Sequence, residues 1–571
     1  MPGDPRSLRL VAVADFRGGA KGPPSRIPVD KDRFDEAFAR IAPRLALRVA
    51  DRVSGPAPLE LALAPERLAD LAPARLAAVV PALARLREAR GVVESIARGE
   101  APLSSFRARA ADLLPPALLK AVADTLEAPA QAPASSETPR PAPPSAGGDV
   151  EAILSLVGSA APDARRSVDA LAGEIAGRRR RPASGAAGAL EVLDAILAAQ
   201  LDAILHAPAL RALEATWRGL RLLVDRADFR AGIALELVAA GVDEAAAALD
   251  ALAEGGEVDL VLADFAFDAS ARDLERATAL AEAAERLQAP LVAALAPAFF
   301  GAGSWAELVK GRSPQALFDE APHAGWRALR DRESARWLVL TANRLGLRAP
   351  YGPEGESPRD LAYREGEGGG LWGSAVWALG SVVARAFART GACLQISGVQ
   401  HALVPDLALV PGPDGKPAPV EGAFGTERRD DLEKIGLTVA HAYQRDVASF
   451  GAVRSFRRPE RYTDLEARAD AAQQTSLAYQ LFASRVARAL SQAVGELSGI
   501  GSAEAAAEAL RESLVRDLSS AATPLDRDRI AVGTRPNPED ASLTDVTVRV
   551  APDATLGGRP IHVMLRFPLR L

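Results

Sequence analysis

Apolar residues recur three or four positions apart most regularly between residues 192 and 224, which predicts two consecutive helices. The first is marked by Val192, Leu193, Ile196, Leu197, Leu201, Ile204 and Leu205. Pro208 lacks a backbone N–H and fixes φ, so it ends that helix or begins the next one. The second helix has an apolar face formed by Leu210, Leu213, Trp217, Leu220 and Val224. The pattern predicts a buried helical pair that organises the chain.

The beginning of the chain mixes strand and helix spacing. Residues 8–16 (LRLVAVADF) predict a strand, and Asp30 is placed to cap a helix over residues 32–40. Apolar and other residues alternate in 45–49 and again in 59–63, and the loop between these runs suits a hairpin. Residues 65–114 have helical spacing that is interrupted at three prolines, Pro73, Pro81 and Pro102.

After Ile233 the pattern alternates between strands and helices. Residues 258–265 predict a strand, 271–287 a helix and 290–295 a second strand. Because a strand, a crossover helix and a strand form a βαβ unit, these two strands are predicted to pair in parallel. A further helix is predicted at 471–497, and two late strands at 545–550 and 561–571. The predicted fold class is α/β, in the sense of a mixed α+β chain.

Length and composition narrow the class of protein. The chain has 571 residues, 48% of them apolar and 25% charged, so a globular protein of two or more domains is expected. A net charge of −6 with interspersed signs gives no electrostatic reason to expect nucleic acid. The single cysteine, Cys393, excludes an intrachain disulfide and suits a reducing compartment. No signal-peptide run and no stretch of about 20 apolar residues is present, which predicts a cytoplasmic protein without membrane insertion.

A stretch rich in Pro, Ala and Ser at residues 128–148 divides the chain. It has no apolar periodicity and is therefore predicted to be a linker. As polyproline II it would reach roughly 60 Å, at about 3.1 Å for each of its ~20 residues, enough to join two domains or to reach a neighbouring protomer. The predicted division is a domain at 1–127, the linker, a helical region at 149–205 and a core at 206–571.

No grouping of residues predicts catalysis, a cofactor or a metal site. The histidines lack metal-ligand spacing; they are His206, His323, His401, His441 and His562. Residues 412–417 (GPDGKP) lack the spacing and the Ser or Thr of a phosphate loop, and they predict a turn. Asp15 and Asp264 each end a predicted strand, where capping or turn formation fits better than catalysis because neither has a basic or nucleophilic partner. Cys393 is expected to be a small core hydrophobe.

Motifs along the second part of the chain occur in the order found in one protein family. Residues 201–224 (LDAILHAPALRALEATWRGLRLLV) contain a helix, a His with a Pro shortly after it, and then L-E-x-x-W-R-G-L. The match continues through GSWAEL at 303–308, through 325–352, 371–392 and 426–437, and through FRRPERYTD at 456–464. Over residues 150–571 the chain resembles the large subunit of the type VI secretion contractile sheath.

The first part of the chain resembles the small subunit of the same sheath. The similarity rests on DFRG at 15–18, IPVDKDRFDE at 27–36, LELAL at 59–63, VVPALARLREAR at 79–90 and FRARAADLL at 106–114. It covers residues 8–114. The chain is thus similar to both subunits fused in one polypeptide, with a small-subunit half packed on a larger α/β core.

This resemblance implies a structural protomer and no enzyme. In the family, the two subunits fold together, and protomers stack helically around an inner tube that contraction drives outward from a baseplate. Such self-assembly requires a head-to-tail interface that does not close into a ring. The residues expected to act as structural anchors are Trp217, Arg218, Trp326 and Trp372. The expected location is the bacterial cytoplasm.

One further partner is implied at residues 149–158. A short helix is predicted there, with an apolar face formed by Val150, Ile153, Leu154 and Val157. In the large subunits that the chain resembles, an N-terminal helix exposed after contraction is grasped by a Clp-type AAA+ unfoldase. A plain packing or linker role is the alternative.

The chain departs from the family pattern in three places. Only residues 1–7 precede the first strand, where family small subunits have a strand that pairs with a neighbouring protomer. Residues 396–402 (ISGVQHA) replace the usual I-R-G-V-E-G-G, and the tail after the last strand is absent. Two alternative functions are therefore kept: a homologue that acts as a cap or baseplate adaptor without polymerising, and an α/β enzyme that uses Asp264.

Overall fold

A computed structural model describes residues 6–22, 26–128, 185–253, 257–352, 361, 363–497, 502–520, 523–540 and 543–570. The predicted linker, apart from Ala128, and the predicted helix at 149–158 lie outside these residues. Within the described ranges, no helix is long and apolar enough to cross a membrane.

Strands occur along the whole described chain. They are β1 (Leu8–Ala14), β2 (Arg26–Pro28), β3 (Leu45–Val49), β4 (Leu59–Leu63), β5 (Ile233–Ala239), β6 (Leu260–Phe267), β7 (Leu291–Leu295), β8 (Leu338–Ala342), β9 (Arg344–Arg348), β10 (Leu371–Ser374), β11 (Leu403–Val404), β12 (Val410–Pro411), β13 (Pro417–Ala418), β14 (Leu437–Gln444), β15 (Val447–Phe450), β16 (Ile530–Pro536), β17 (Thr544–Val550), β18 (Thr555–Leu556), β19 (Arg559–Pro560) and β20 (Val563–Leu569).

Helices separate most of these strands. They are α1 (Phe34–Ile41), α2 (Pro73–Val79), α3 (Pro81–Ala97), α4 (Phe106–Ala110), α5 (Pro116–Glu127), α6 (Ala186–Leu205), α7 (Pro208–Arg226), α8 (Val242–Ala253), α9 (Ala271–Leu287), α10 (Trp305–Lys310), α11 (Pro314–Phe318), α12 (Ala324–Leu329), α13 (Ala375–Thr390), α14 (Thr426–Lys434), α15 (Leu465–Gln474), α16 (Leu477–Gly495) and α17 (Ala503–Leu518).

The central sheet joins the two parts of the chain. Its strand order is β11-β15-β14-β8-β7-β6-β1-β5-β2. The N-terminal strand β1 lies between β5 and β6 and is parallel to both, with Leu8 opposite Ile233 and Leu10 opposite Leu260. A near-continuous apolar run such as LRLVAVA is typical of a parallel strand that is covered on both faces. β1, the first strand of the small-subunit-like part, is therefore an interior strand of a sheet whose other long strands come from the large-subunit-like part.

Two hydrophobic cores lie on opposite faces of this sheet, because successive side chains of a strand alternate between faces. Leu10 and Ala12 of β1 belong to the core that includes residues of α1, α3, α6, α7 and α13. Val11 and Val13 belong to the other core, with residues of α8 and α9. A third core lies between α16, α17 and the antiparallel sheet β16-β17-β20.

The structure confirms the mixed α+β fold class and several predicted elements. β3 and β4 form the predicted antiparallel hairpin, and β6, α9 and β7 form the predicted parallel βαβ unit. Pro208 begins α7, and residues 412–417 lie at the turn of the β12–β13 hairpin.

Two predicted helices differ from the structure. The helix predicted at 471–497 is two helices, because the Ser476 side chain accepts a hydrogen bond from the N–H of Tyr479 and starts α16 anew. The helix predicted from residue 32 begins at Phe34. Asp30 does not cap it: the Asp30 carboxylate accepts hydrogen bonds from the N–H groups of Asp32 and Arg33 in the preceding turn.

Candidate functional site

The helix α7 lies at the junction between the two parts of the chain and carries the motif of residues 206–224. It starts at Pro208. Proline suits the first position of a helix, because an N–H there would have no intrahelical acceptor in any case. Its inward side meets β1, α1, α13 and the segment after β9, as the contacts below show. We take this junction as the candidate functional site because most of the polar and aromatic residues of the motif have a specific partner there.

Trp217 occupies the centre of the junction and is fully buried. Its ring centroid lies 5.1 Å from that of Phe16, 5.7 Å from that of Phe34 and 4.4 Å from that of Phe38. Its indole Nε1 donates a hydrogen bond to the carbonyl oxygen of Phe16 at 3.1 Å, which satisfies the buried N–H. Phe16 follows β1, and the other two rings belong to α1. The motif tryptophan thus binds the N-terminal part of the chain to the core.

Gly219 allows α7 to approach α13 closely. A Cβ atom at this position would lie 2.1 Å from Cδ1 of Trp377, well inside van der Waals contact. The glycine of the W-R-G-L motif is therefore required by the packing of the two helices, since any side chain would displace the Trp377 indole.

Asp264 lies inside β6, so the prediction that it ends a strand and caps or turns it is wrong. The pairing of β6 with β7 is irregular between Leu262 and Ala266, as in a β-bulge, and the strand continues to Phe267. The Asp264 carboxylate accepts hydrogen bonds from Thr216 Oγ1 at 2.9 Å and from Trp377 Nε1 at 3.1 Å. Burial raises the pKa of Asp264, and these hydrogen bonds oppose that rise. The carboxylate joins β6 to α7 and α13.

A buried ion cluster lies beside the same helix. The Arg348 side chain is 1% exposed and its guanidinium contacts Glu214 Oε1 at 3.0 Å and Glu365 Oε2 at 2.7 Å. A second bond of 3.2 Å to Glu365 Oε1 makes this pair bidentate. Arg218 Nε adds a bond of 2.7 Å to Glu214, and His206 Nε2 lies 3.3 Å from Glu365 Oε1. Such a cluster is tolerated in the interior because its charges are paired, although Glu214 Oε2 is buried without a hydrogen-bond partner.

The pKa shifts in the cluster favour the charged forms. Burial alone would raise the pKa of Glu365, but hydrogen bonds from His206 and Arg348, together with the Arg348 charge, hold it well below its ordinary value. Burial likewise would lower the pKa of Arg348, but its interactions with Glu214 and Glu365 raise it above its ordinary value. Both partners therefore remain ionised at neutral pH.

The segment 363–370 is held against α6 and α7. Arg211 donates to the carbonyl oxygens of Gly368 at 3.1 Å and Gly370 at 2.9 Å. Asp202 accepts hydrogen bonds from the Tyr363 hydroxyl and from the N–H of Gly366. Burial, followed by the bond to Asp202, raises the pKa of Tyr363 above its ordinary value, so the hydroxyl remains a donor.

The other predicted anchors occupy different places. Trp326 is fully buried in the core on the opposite face of the sheet, 5.1 Å from the Phe299 ring. Trp372, on β10, is partly exposed and lines a cavity of about 1050 Å³. Arg218 belongs to the ion cluster. The predicted unfoldase-binding residues Val150, Ile153, Leu154 and Val157 lie outside the described part of the chain.

Asp15 and Cys393 have structural roles. Asp15 accepts hydrogen bonds from the N–H groups of Arg17 and Gly19, which confirms its turn-forming role. Cys393 is buried, and burial raises the pKa of its thiol to about 12, so it behaves as the small hydrophobe that was expected. Across the ranges that the structure describes, no three His, Cys, Asp or Glu side chains are grouped to hold a metal ion.

Sequence reasoning missed the ion cluster. A signal was present, since Glu214 follows Leu213 on the apolar face of α7, between Leu210 and Trp217 at helical spacing. A carboxylate on a buried face needs a buried cation. The identity of that cation, Arg348, and of the second carboxylate, Glu365, has no local signature because both lie more than a hundred residues away along the chain.

Two family models match this chain. One, described as "EvpB/VC_A0108, tail sheath N-terminal domain", matches residues 188–256 and 253–457. The other, described as "Type VI secretion system, VipA, VC_A0107 or Hcp2", matches residues 7–117. The second match contains β1 and the three phenylalanines around Trp217, and the first contains α7 and the ion cluster.

A curated relative and several solved structures are also similar. The type VI secretion system sheath protein TssC1 of Pseudomonas aeruginosa PAO1 is 29% identical over 327 residues, which are 52% of this chain and 66% of that protein. The cryo-EM baseplate of the anti-feeding prophage contains a chain with 13% identity and a TM-score of 0.32, over 62% of this chain and 76% of that one. A sheath tail protein from Desulfitobacterium hafniense has 12% identity and a TM-score of 0.32, over 58% of this chain and 61% of that one.

Proposed function

Because this chain belongs to the type VI secretion sheath family, with small-subunit and large-subunit domains in one polypeptide, we propose that it is a structural protomer of a contractile sheath. In this proposal, protomers polymerise helically around an inner tube above a baseplate in the bacterial cytoplasm, and contraction of the polymer propels the tube. The chain supplies no catalysis, and the work comes from relaxation of a metastable packing between protomers.

The observation that supports this role most directly is the position of β1. A sheath protomer must transmit force through both of its parts without separating them. β1 pairs along its whole length with β5 and over four residues with β6, and Trp217 and the Phe16 carbonyl join the same parts at the helix layer. A strand in the interior of a sheet leaves only if two ladders of hydrogen bonds break together.

The domain division belongs to the same proposal. Residues 1–127 act as the small-subunit domain, 128–148 as the linker, 149–205 as the N-terminal region of the large subunit and 206–571 as its core. The family-model matches at 7–117 and 188–457 fall on either side of the proposed linker.

The test is electron microscopy of the purified full chain, expressed alone and together with the inner tube protein of the same secretion system. Helical tubes are expected. Discrete particles that bind a baseplate component would favour the cap or adaptor role instead. An Ala12→Asp variant places a charge in the interior of β1, where Ala12 is fully buried, and should abolish tubes, whereas Arg75→Asp on the exposed side of α2 should not.

We also propose that residues 149–158 bind a Clp-type AAA+ unfoldase that recycles contracted sheath. Support comes from the sequence alone, through the spacing of Val150, Ile153, Leu154 and Val157 on one helical face. A peptide of residues 148–162 should bind the purified N-domain of the cognate unfoldase. The same peptide with Ile153→Asp and Leu154→Asp should not bind, and equal or absent binding for both would refute this part of the proposal.

A further inference from the structure

A cationic cleft lies away from the junction, where α11, α12, the end of α14 and one face of α15 meet. It has a volume of about 750 Å³. Six cationic side chains line it: Arg327, Arg330, Lys434, Arg458, Arg461 and Arg468. The carboxylates on its wall are those of Asp319 and Glu460. Arg458 and Lys434 are ion-paired at 3.4 Å with Asp331 and Asp431 outside the cleft, so its excess of positive charge comes from the other four arginines, although the whole chain carries a net charge of −6.

Three of these arginines are oriented by neutral groups. Arg327 donates to the carbonyl oxygens of Phe318 and Glu320, and Arg468 donates through two nitrogens to the carbonyl oxygen of Tyr462 at 3.2 and 3.0 Å. Arg330 Nε donates to the carbonyl oxygen of Phe456 at 3.1 Å. Main-chain carbonyls fix the direction of a guanidinium but do not cancel its charge. The cleft therefore presents preoriented positive charge.

Arg330 forms the floor of the cleft. It is 7% exposed, and its guanidinium carbon lies 5.5 Å from the ring centroid of Phe456 and 6.0 Å from that of Phe318. Burial, aided by the nearby charge of Arg458, lowers the pKa of Arg330 to about 10, so it is still protonated at neutral pH. A cation held in this position has lost much of its hydration, and an anion in the cleft would offset that cost.

Large apolar side chains lie beside the cationic ones. Leu465, Arg468 and Ala472 are spaced three and four residues apart and therefore share one face of α15. Arg468 and Ala472 line the cleft. Leu465 is 74% exposed, and Tyr462, in the segment that precedes the helix, is 42% exposed. A free phosphate would leave these side chains uncovered, whereas a peptide that combines carboxylates with an apolar residue would cover them.

We propose that this cleft docks an acidic segment of a partner protein, with carboxylates on Arg461 and Arg468 and an apolar side chain against Leu465. Arginine suits this role because its planar guanidinium pairs with a carboxylate through two parallel hydrogen bonds. The site goes beyond the sheath role, since it concerns recognition by the single protomer. The binding test does not need assembled tubes. Peptide binding can therefore be absent from a chain that forms tubes, and it can be present in a chain that does not.

The probe is a fluorescein-labelled peptide made of Glu-Glu-Leu-Glu-Glu repeats, titrated with the purified, unassembled full chain. Its control is the Gln-Gln-Leu-Gln-Gln peptide. Saturable binding that weakens as salt rises is expected for the glutamate peptide only. The double variant Arg461→Glu/Arg468→Glu should bind at least tenfold more weakly. The matched control is Arg75→Glu/Arg85→Glu, which makes the same change of charge at exposed arginines of α2 and α3.

Several results would overturn the proposal. They are absent binding to the wild-type chain, equal binding of the glutamine peptide, and equal weakening by the control pair, which would indicate attraction to net charge alone. Inorganic triphosphate serves as a competitor. If triphosphate binds through Arg461 and Arg468 and the peptide does not displace it, the ligand is a phosphate and the docking of an acidic segment is refuted.

Discussion

The indole Nε1 of Trp217 donates a hydrogen bond to the carbonyl oxygen of Phe16, 3.1 Å away and 201 residues earlier in the chain. This bond fixes the end of β1 to the middle of α7. It lies within a cluster of Phe rings, so both the hydrogen bond and the ring packing depend on one side chain. The two family-model matches meet at this point in space.

Replacement of Trp217 by Ala should lower the free energy of unfolding by about 3–5 kcal/mol, the usual cost of deleting a buried aromatic side chain. Trp217→Phe keeps most of the ring contacts but leaves the Phe16 carbonyl without its donor, so a loss of about 1–3 kcal/mol is expected. Trp372→Ala, at a partly exposed position, is the control and should cost less. Urea denaturation of the full chain measures all three. An unchanged stability of Trp217→Ala would contradict the burial of this residue.

The fragment of residues 1–127 should be insoluble or aggregated when expressed alone. Its strand β1 would then lack β5 and β6 and expose two unpaired edges. Coexpression of residues 149–571 should rescue it as a soluble complex, detected by co-purification through a tag on one fragment. Rescue should fail for Ala12→Asp, which disrupts the same strand. A stable, monodisperse fragment 1–127 would show that this half does not need the shared sheet.

The free energy of unfolding should decrease as the pH is lowered, and Glu365 should account for part of this decrease. Its pKa in the folded chain is held below the ordinary value of about 4.3, so the unfolded chain takes up this proton first as the pH falls. The contribution is complete above about pH 5 and is lost progressively as the pH falls from the ordinary pKa towards the lower pKa of the folded chain. Glu365→Gln should therefore cost about 3–5 kcal/mol at neutral pH, because it leaves Arg348 underpaired.

The same variant should lose less stability than the wild-type chain on acidification, so the gap between the two unfolding free energies should narrow as the pH falls below the ordinary pKa of about 4.3. Glu88→Gln, at an exposed position of α3, is the control and should show neither effect. A constant difference between Glu365→Gln and wild type at every pH would mean that the carboxylate has an ordinary pKa.

Replacement of residues 129–184 by a short Gly/Ser loop should leave the described fold intact. The N–H of Gly185 donates a hydrogen bond to the carbonyl oxygen of Thr125 at 3.1 Å, so the described residues on either side of the replaced stretch are neighbours in space. A shorter loop costs less closure entropy, and the free energy of unfolding should be unchanged or rise by up to about 2 kcal/mol. Circular dichroism and thermal denaturation check this. Aggregation of the variant would mean that the replaced residues are needed for folding.

Local sequence patterns predicted many elements of this fold, but not their partners. The run LRLVAVADF indicates a strand, and its near-continuous apolar character suits burial on both faces. Nothing in the run specifies β5 and β6 as neighbours, because strand pairing depends on backbone groups that every residue has. The resemblance to both subunits supplied the expectation that the two halves pack together, and the register came only from the structure.

Polar residues inside the fold were harder to predict than apolar ones. Asp264 is predicted at a strand end, with a capping or turn-forming role, whereas an irregular pairing and two donors accommodate it within β6. Glu214 has one cationic partner within the motif, Arg218 four residues later, but its fully buried partner, Arg348, comes from β9. The meaning of a buried charge depends on a distant partner, and helical or strand periodicity carries no information about that partner.

The interior position of β1 also determines how long this strand must wait for its neighbours during translation. The Arg9 amide bonds to the side chain of Asp259, 250 residues further along, and β6 begins just after it. At roughly 5–20 residues per second, the ribosome needs about 12–50 s to supply that stretch after β1 has been made. For most of this interval β1 has neither neighbour, and it gains β5 only shortly before β6. Folding of this chain therefore depends on whatever shields β1 until translation has passed β6.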